Sequence, residues 1–162
     1  MGTRKLASTL LSATMLSVGV VALTPTSAAA ATPKCTRQVE MKPRAGYSYY
    51  MMIPKSATTV SCYMNKGTQN AGVTALQTAL AYCYNANKGI YGGFFGPGDI
   101  DGIYGRDTEL ALEDVQYSLF PQESDMHDGI YGTRTAAVLK FPWHNPSNDR
   151  IMDTCTRRDG TG

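Results

Sequence analysis

Histidine and tryptophan are scarce in this chain: His127 and His144 are the two imidazoles and Trp143 is the single indole. With two histidines and no H-E-x-x-H string, no convincing three-ligand zinc set can be assembled. A C-x-x-C pair is also missing, and no Cys/His pair stands at zinc-ligand spacing. There is no G-x-S-x-G elbow, which removes the usual signature of a serine hydrolase. The string Asp99-Ile-Asp101-Gly102 has the opening of a calcium loop, but its twelfth position is Leu110 where a bidentate Glu is required. Metal and cofactor are therefore not expected. A basic surplus is lacking too. The chain has 15 Lys+Arg and 13 Asp+Glu, and two of the bases, Arg4 and Lys5, fall in the N-terminal segment discussed next, which leaves 13 against 13. Nucleic-acid binders normally show an excess of positive charge, and anionic membranes attract polybasic runs; neither partner is expected.

What is present begins with an export signal. Arg4-Lys5 precedes an apolar stretch from Leu6 to Leu23, followed by Thr24-Pro-Thr-Ser27 and the small-residue tract Ala28–Ala31. Charged, apolar and small residues in that order read as a secretory signal peptide over 1–31. The C-terminal Arg157-Arg-Asp-Gly-Thr-Gly162 has no apolar tail. The expectation is a secreted product, extracellular or wall-associated, of roughly 130 residues, enough for one modest core. Cys35, Cys62, Cys83 and Cys155 are then an even set in an exported chain, which points to two disulfides. Three pairings are open; Cys35–Cys62 with Cys83–Cys155 is favoured, the first closing a local unit and the second tying the tail to the first helix.

Residues 32–66 read as a small β-rich unit. Gln38–Met41 alternates, Tyr47–Ile53 is aromatic and stops at Pro54, and Thr58–Tyr63 is β-branched. Asn65–Gly72 reads as a linker. Beyond it the period becomes helical: Val73, Leu76, Leu80 and Cys83 mark a helix over about 72–85. A second helix starts near 105 or 106, carries Ala111, Leu112, Val115 and Leu119 on its apolar stripe, and ends before Pro121. A third covers about 133–140. The region 67–143 is thus expected to be helical, with 144–162 as a C-terminal tail held by a disulfide.

The chain repeats itself. Asp101-Gly-Ile-Tyr-Gly105-Arg-Asp-Thr108 returns as Asp128-Gly-Ile-Tyr-Gly132-Thr-Arg-Thr135, and a partial copy, Gly89-Ile-Tyr-Gly92, lies between them and the first helix. Asp bonds nearby amides, Gly accepts positive φ, and Thr can bond back to the free groups of the helix's first turn. Ile103 and Ile130 are expected as buried plugs. With Leu76-Gln77-Thr-Ala-Leu80 ahead of them, these two D-G-x-x-G-x-x-T turns resemble the bacterial peptidoglycan-binding domain of the three-helix type, over about residues 70–142. Ala111–Gln116 is similar to that family's A-V-x-x-x-Q segment. Arg106 and Thr133 stand where the family usually has Pro, and the 85–100 loop is longer than its norm.

The resemblance implies a mainly α fold, a three-helix domain preceded by the β-rich unit, and peptidoglycan, glycan plus stem peptide, as ligand. Aromatic rings can cover sugar faces and Arg can fork onto carboxylates. The expected contacts are Tyr104 with Arg106, Tyr131 with Arg134, and Phe94 and Phe95 in the Gly-rich loop. The competing reading makes Tyr104 and Tyr131 core caps, the two arginines solvated charges and Trp143 a lid over the helices. Asp101 and Asp128 could be taken for a glycosidase carboxylate pair, but a backbone role in the repeated turn is sufficient for each. The expected product is a non-catalytic, monomeric wall-binding protein. Its rivals are a wall hydrolase whose N-terminal unit supplies the chemistry and a secreted inhibitor or protein-interaction module that reuses the fold.

Overall fold

The structure, a computed structural model, describes residues 31–43, 46–89 and 92–162. Residues 1–30, which hold most of the segment expected to be a signal peptide, and the centre of the partial Gly89–Gly92 copy lie outside the described residues. Among the described residues, ten elements follow in order. Strands β1 (Arg37–Met41) and β2 (Tyr50–Lys55) come first. Helix α1 (Ala71–Ala79) runs on into a five-residue π-helical turn, Leu80–Tyr84. A 3-10 turn at Pro97–Asp99, helix α2 (Arg106–Leu119) and a 3-10 turn at Ser124–Met126 lead to helix α3 (Thr133–Val138). Strands β3 (Lys140–His144) and β4 (Ile151–Arg157) close the chain.

This is not a mainly α protein. The four strands form one antiparallel sheet in the order β1-β2-β3-β4. The β-rich N-terminal residues are half of that sheet and not a unit of their own, because β3 pairs with β2 through Tyr50↔His144 and Met51↔Trp143. Residues expected to be the end of a helix and a tail are instead a hairpin. Two features hid it: Pro142 sits inside β3, and Cys155 was assigned only to a staple. Strand β2 also continues through Pro54. Past Met51, β3 has parted from it, so one edge is open and a residue without an N–H is accommodated.

The third expected strand, Thr58–Tyr63, does not form. Ser56 Oγ accepts from the Thr58 and Thr59 amides (3.3 and 3.0 Å) and donates to Thr59 O (2.9 Å). Thr59 Oγ1 then accepts from Ser61 N at 3.0 Å. Hydroxyls that bond the local backbone compete with a ladder, and here they win. The expected linker is likewise ordered. Gly67 N donates to Tyr104 O (2.9 Å), Tyr104 N to Thr68 O (2.8 Å), and Asn70 N to Gly102 O (3.2 Å). Asn70 is also the N-cap of α1: its Oδ1 accepts from Gly72 N (2.8 Å) and Val73 N (3.3 Å), while its Nδ2 donates to Cys35 O (3.1 Å).

Helix α1 lies against the sheet, and Val73, Leu76 and Leu80 share one buried core with Met51, Ile53 and Phe141. The same core takes Leu112 and Val115 from α2 and Ala136 from α3. Both disulfides are formed: Cys35–Cys62 and Cys83–Cys155. The first is buried beside the cap of α1. The second joins the π-helical turn to β4, which supports the edge strand from the helical side. No helix among the described residues is long and apolar enough to cross a membrane.

Candidate functional site

The two repeated turns fold alike, and a buried glutamine closes each. In the first, Gln77 Nε2 donates to Asp101 Oδ1 (2.8 Å), Ile103 O (3.1 Å) and Thr108 Oγ1 (3.1 Å). Its Oε1 accepts from the amides of Asp101 (3.1 Å) and Gly102 (2.8 Å). In the second, Gln116 Nε2 donates to Asp128 Oδ1 (3.0 Å), Ile130 O (3.0 Å) and Thr135 Oγ1 (3.2 Å), and its Oε1 accepts from Gly129 N (2.8 Å). Each aspartate also accepts from the amide two residues on, Ile103 (2.8 Å) or Ile130 (2.9 Å). The Gln77 amide, and then the Ile103 N–H, hold the Asp101 carboxyl below the usual carboxylate range. Gly102 and Gly129 take φ of +75° and +62°, where an L side chain is strained. A Cβ on Gly129 would also meet the Glu109 carbonyl oxygen at 2.9 Å. The D-G-x-x-G-x-x-T pattern is therefore a glutamine receptor. Asp and Thr hold the amide nitrogen, Gly lets the chain turn around it, and the helix follows. Both acids thereby have structural partners, as their expected backbone role requires.

The aromatic contacts expected from sequence divide. Tyr104 (0 % exposed) and Tyr131 (2 %) are buried and present no ring to a ligand. Ile103 (44 %) and Ile130 (37 %), expected inside, face out. Adjacent residues of an extended segment point to opposite sides, so only one of each Ile-Tyr pair can enter the core. The larger ring buries more area, and for Tyr104 the phenol is satisfied, its OH donating to Gly129 O at 2.6 Å. Burial raises the Tyr104 phenol far above its ordinary pKa. That bond also couples the first turn to the second. Tyr131 is tied by its backbone, exchanging two hydrogen bonds with Met64 (2.9 and 3.0 Å). In the Gly-rich loop, Phe94 is out (63 %) and Phe95 is in (1 %), so Phe95 too is withdrawn from the contact set.

Arg106 and Arg134 are exposed and each is paired. Arg106 meets Glu109 at 2.7 Å, and Lys66 reaches the same carboxylate at 3.5 Å. The Arg106 bond, more than the Lys66 charge, keeps Glu109 below the ordinary glutamate range. Arg134 bonds Glu123 and lies 5.6 Å from the centre of the Phe120 ring. Exposed pairs of this kind hold their partners weakly and exchange readily with an incoming carboxylate.

Two grooves adjoin the first turn and α2. One, about 220 Å³, is lined by Ile103, Arg106, Asp107, Asp99 and Asp101, with Phe95 at its base. The other, about 340 Å³, lies between the Gly-rich loop and α2 and is lined by Asn87, Gly89, Leu110, Glu113, Asp114 and Tyr117. Sequence reasoning missed Leu110 and Tyr117; the exposed aromatic at 117, off the stripe of α2, was the available signal. Among the described residues, no three His, Cys, Asp or Glu side chains come together as a metal site. Compared with protein-family models, with characterised proteins and with solved structures, the chain finds no match.

Proposed function

We propose that this is a secreted, non-catalytic protein that binds bacterial cell-wall peptidoglycan through the face carrying its two repeated turns. The observation that carries the reading is the matched pair of glutamine-closed turns. Each presents an isoleucine outward and, at the start of the following helix, an arginine: Ile103 with Arg106, and Ile130 with Arg134. An apolar knob beside a forked cation suits a ligand that alternates apolar and carboxylate groups, as a stem peptide does. Exposed Phe94 and Tyr117 offer rings for the glycan. The two acids of the repeat are already committed to Gln77 and Gln116, which favours binding over glycosidic chemistry.

Co-sedimentation with purified insoluble sacculi tests this. The wild type is expected in the pellet, and Arg106→Ala/Arg134→Ala in the supernatant at moderate salt. Full recovery of wild type in the supernatant at low salt would refute the proposal. Steady clearing of a wall suspension would refute its non-catalytic part.

A further inference from the structure

A second surface lies where β2 begins and β3 ends, in residues that the repeated turns do not use. The rings of Tyr47, Tyr49 and Trp143 gather there. Tyr47 meets the indole edge-on (5.5 Å, 73°) and Tyr49 lies nearly parallel to it (5.8 Å, 24°). Trp143 is half-buried against the core, and its N–H donates inward to Thr156 Oγ1 at 2.9 Å. Its polar atom is thus satisfied within the protein. Beside these rings is a pocket of about 220 Å³, lined by Pro43, Tyr47, Trp143, Thr154, Thr156 and Gly160. One wall is closed by a tight approach. Gly160, at φ +82°, comes so near Pro43 that a Cβ would stand 2.7 Å from the proline carbonyl oxygen. The backbone holding that wall is pinned by Arg157 N→Thr161 O (2.7 Å) and by Asp159, which accepts from Thr161 N and Oγ1 (2.9 and 2.7 Å).

The chemistry of the lining narrows the occupant. Among the described residues none of the six lining side chains is charged, so a phosphate, carboxylate or ammonium would gain no charged partner from them in return for its lost hydration. The volume is below the roughly 300–1,000 Å³ of pockets that hold drug-sized molecules, which fits one ring and not an extended peptide. Rigid, amphipathic Tyr and Trp rings present apolar area with a wet edge, and Thr154 adds an exposed hydroxyl. A neutral ring with an apolar face and a polar rim is a pyranose.

We propose that this pocket is a saccharide subsite that takes one uncharged pyranose unit of a glycan against Trp143 and Tyr47, with Tyr49 stacked on the indole to hold it in place. Sugar binding stands on the pocket alone. The choice of N-acetylglucosamine, the wall sugar without a carboxylate, rests on the peptidoglycan reading above.

Trp143 is the only tryptophan among ten tyrosines, so indole emission excited beyond the tyrosine absorption band reports on this pocket. Titration of the full chain with soluble N-acetylglucosamine oligomers is expected to give a saturable change in indole emission. Tyr47→Ala and Tyr49→Ala, checked for native far-UV dichroism, should each weaken the apparent affinity by up to about tenfold. No saturable change, an unchanged affinity in both tyrosine variants, or a saturable response to a proline-rich peptide but not to the saccharide would each overturn the proposal. The two readings separate cleanly: sacculus retention without a sugar response defeats the subsite alone, and a sugar response without retention defeats the peptidoglycan reading alone.

Discussion

Removing either glutamine clasp should cost more than any surface substitution in the molecule. Gln77→Ala strips the partner from five hydrogen bonds, of which the Gly102 amide and the Thr108 hydroxyl lie in buried residues. A buried polar group left without a partner costs ~1–3 kcal/mol; the Gly102 amide incurs this in full, while the Thr108 hydroxyl keeps its 3.4 Å bond to Ile103 O and adds a smaller share. The exposed Asp101 and Ile103 partners recover most of theirs from water. Gln116→Ala takes the partner from both the Gly129 amide and the Thr135 hydroxyl, so two such groups give ~2–6 kcal/mol. Against a typical domain stability of ~5–15 kcal/mol, either loss is a large fraction of the whole. Urea denaturation with a fitted slope measures it, and Gln77→Met, which keeps the volume but not the amide, separates packing from hydrogen bonding. Amide exchange adds a local readout. Gly102 should exchange fast in the Gln77 variant and Gly129 in the Gln116 variant, with each turn's partner affected less. A cost below ~1 kcal/mol for both, or an unchanged Gly102 exchange rate, would refute the claim that the repeat exists to bind a glutamine.

Four further outcomes are expected. Tyr104→Phe removes the bond to Gly129 O that joins the turns, and should lose about 1–2 kcal/mol by denaturation without moving the emission of Trp143. Gly129→Ala should be markedly worse than Gly132→Ala, because only the former combines positive φ with a backbone clash; relative thermal midpoints decide this. Breaking Cys83–Cys155, which spans 72 residues, should cost about 4.5 kcal/mol and Cys35–Cys62, which spans 27, about 3.5 kcal/mol by the chain-entropy relation, measured on Cys→Ala pairs. Asp101 and Glu109 have folded pKa values below their unfolded ones, so their stabilisation is complete above the unfolded values near ~4 and disappears as pH falls through the folded values. The melting temperature should therefore be flat above about pH 5 and fall below about pH 4; a midpoint that rises on acidification would contradict the assignment.

The repeat, the starts of its two helices and both disulfides were legible from simple signals: Gly at positive φ in the turn before each helix, acids in the first turn of α2, an even cysteine set. The sheet was not. Its decisive pairing brings Tyr50 and Met51 to His144 and Trp143, across most of the described chain, and Pro142 masked the strand that makes it. At Ile-Tyr the expectation of buried isoleucines is overturned, while the competing reading of Tyr104 and Tyr131 as core caps is the one their burial matches: hydropathy ranks isoleucine first, but the larger ring buries more area. Gln77 and Gln116 were visible as letters of a pattern, but their function as the amides around which the turns close required the coordinates. Tyr47 and Tyr49 lie far from Trp143 in sequence and meet it only because β2 and β3 are neighbours.

The most direct test of the wall-binding account is an amide chemical-shift titration of isotope-labelled protein with a soluble disaccharide-peptide fragment of peptidoglycan. The account predicts saturable shifts at residues 103–107 and 130–134, with Arg106 and Arg134 side-chain resonances moving in step. Shifts confined to other surfaces, or none at concentrations that saturate sacculus binding, would contradict it.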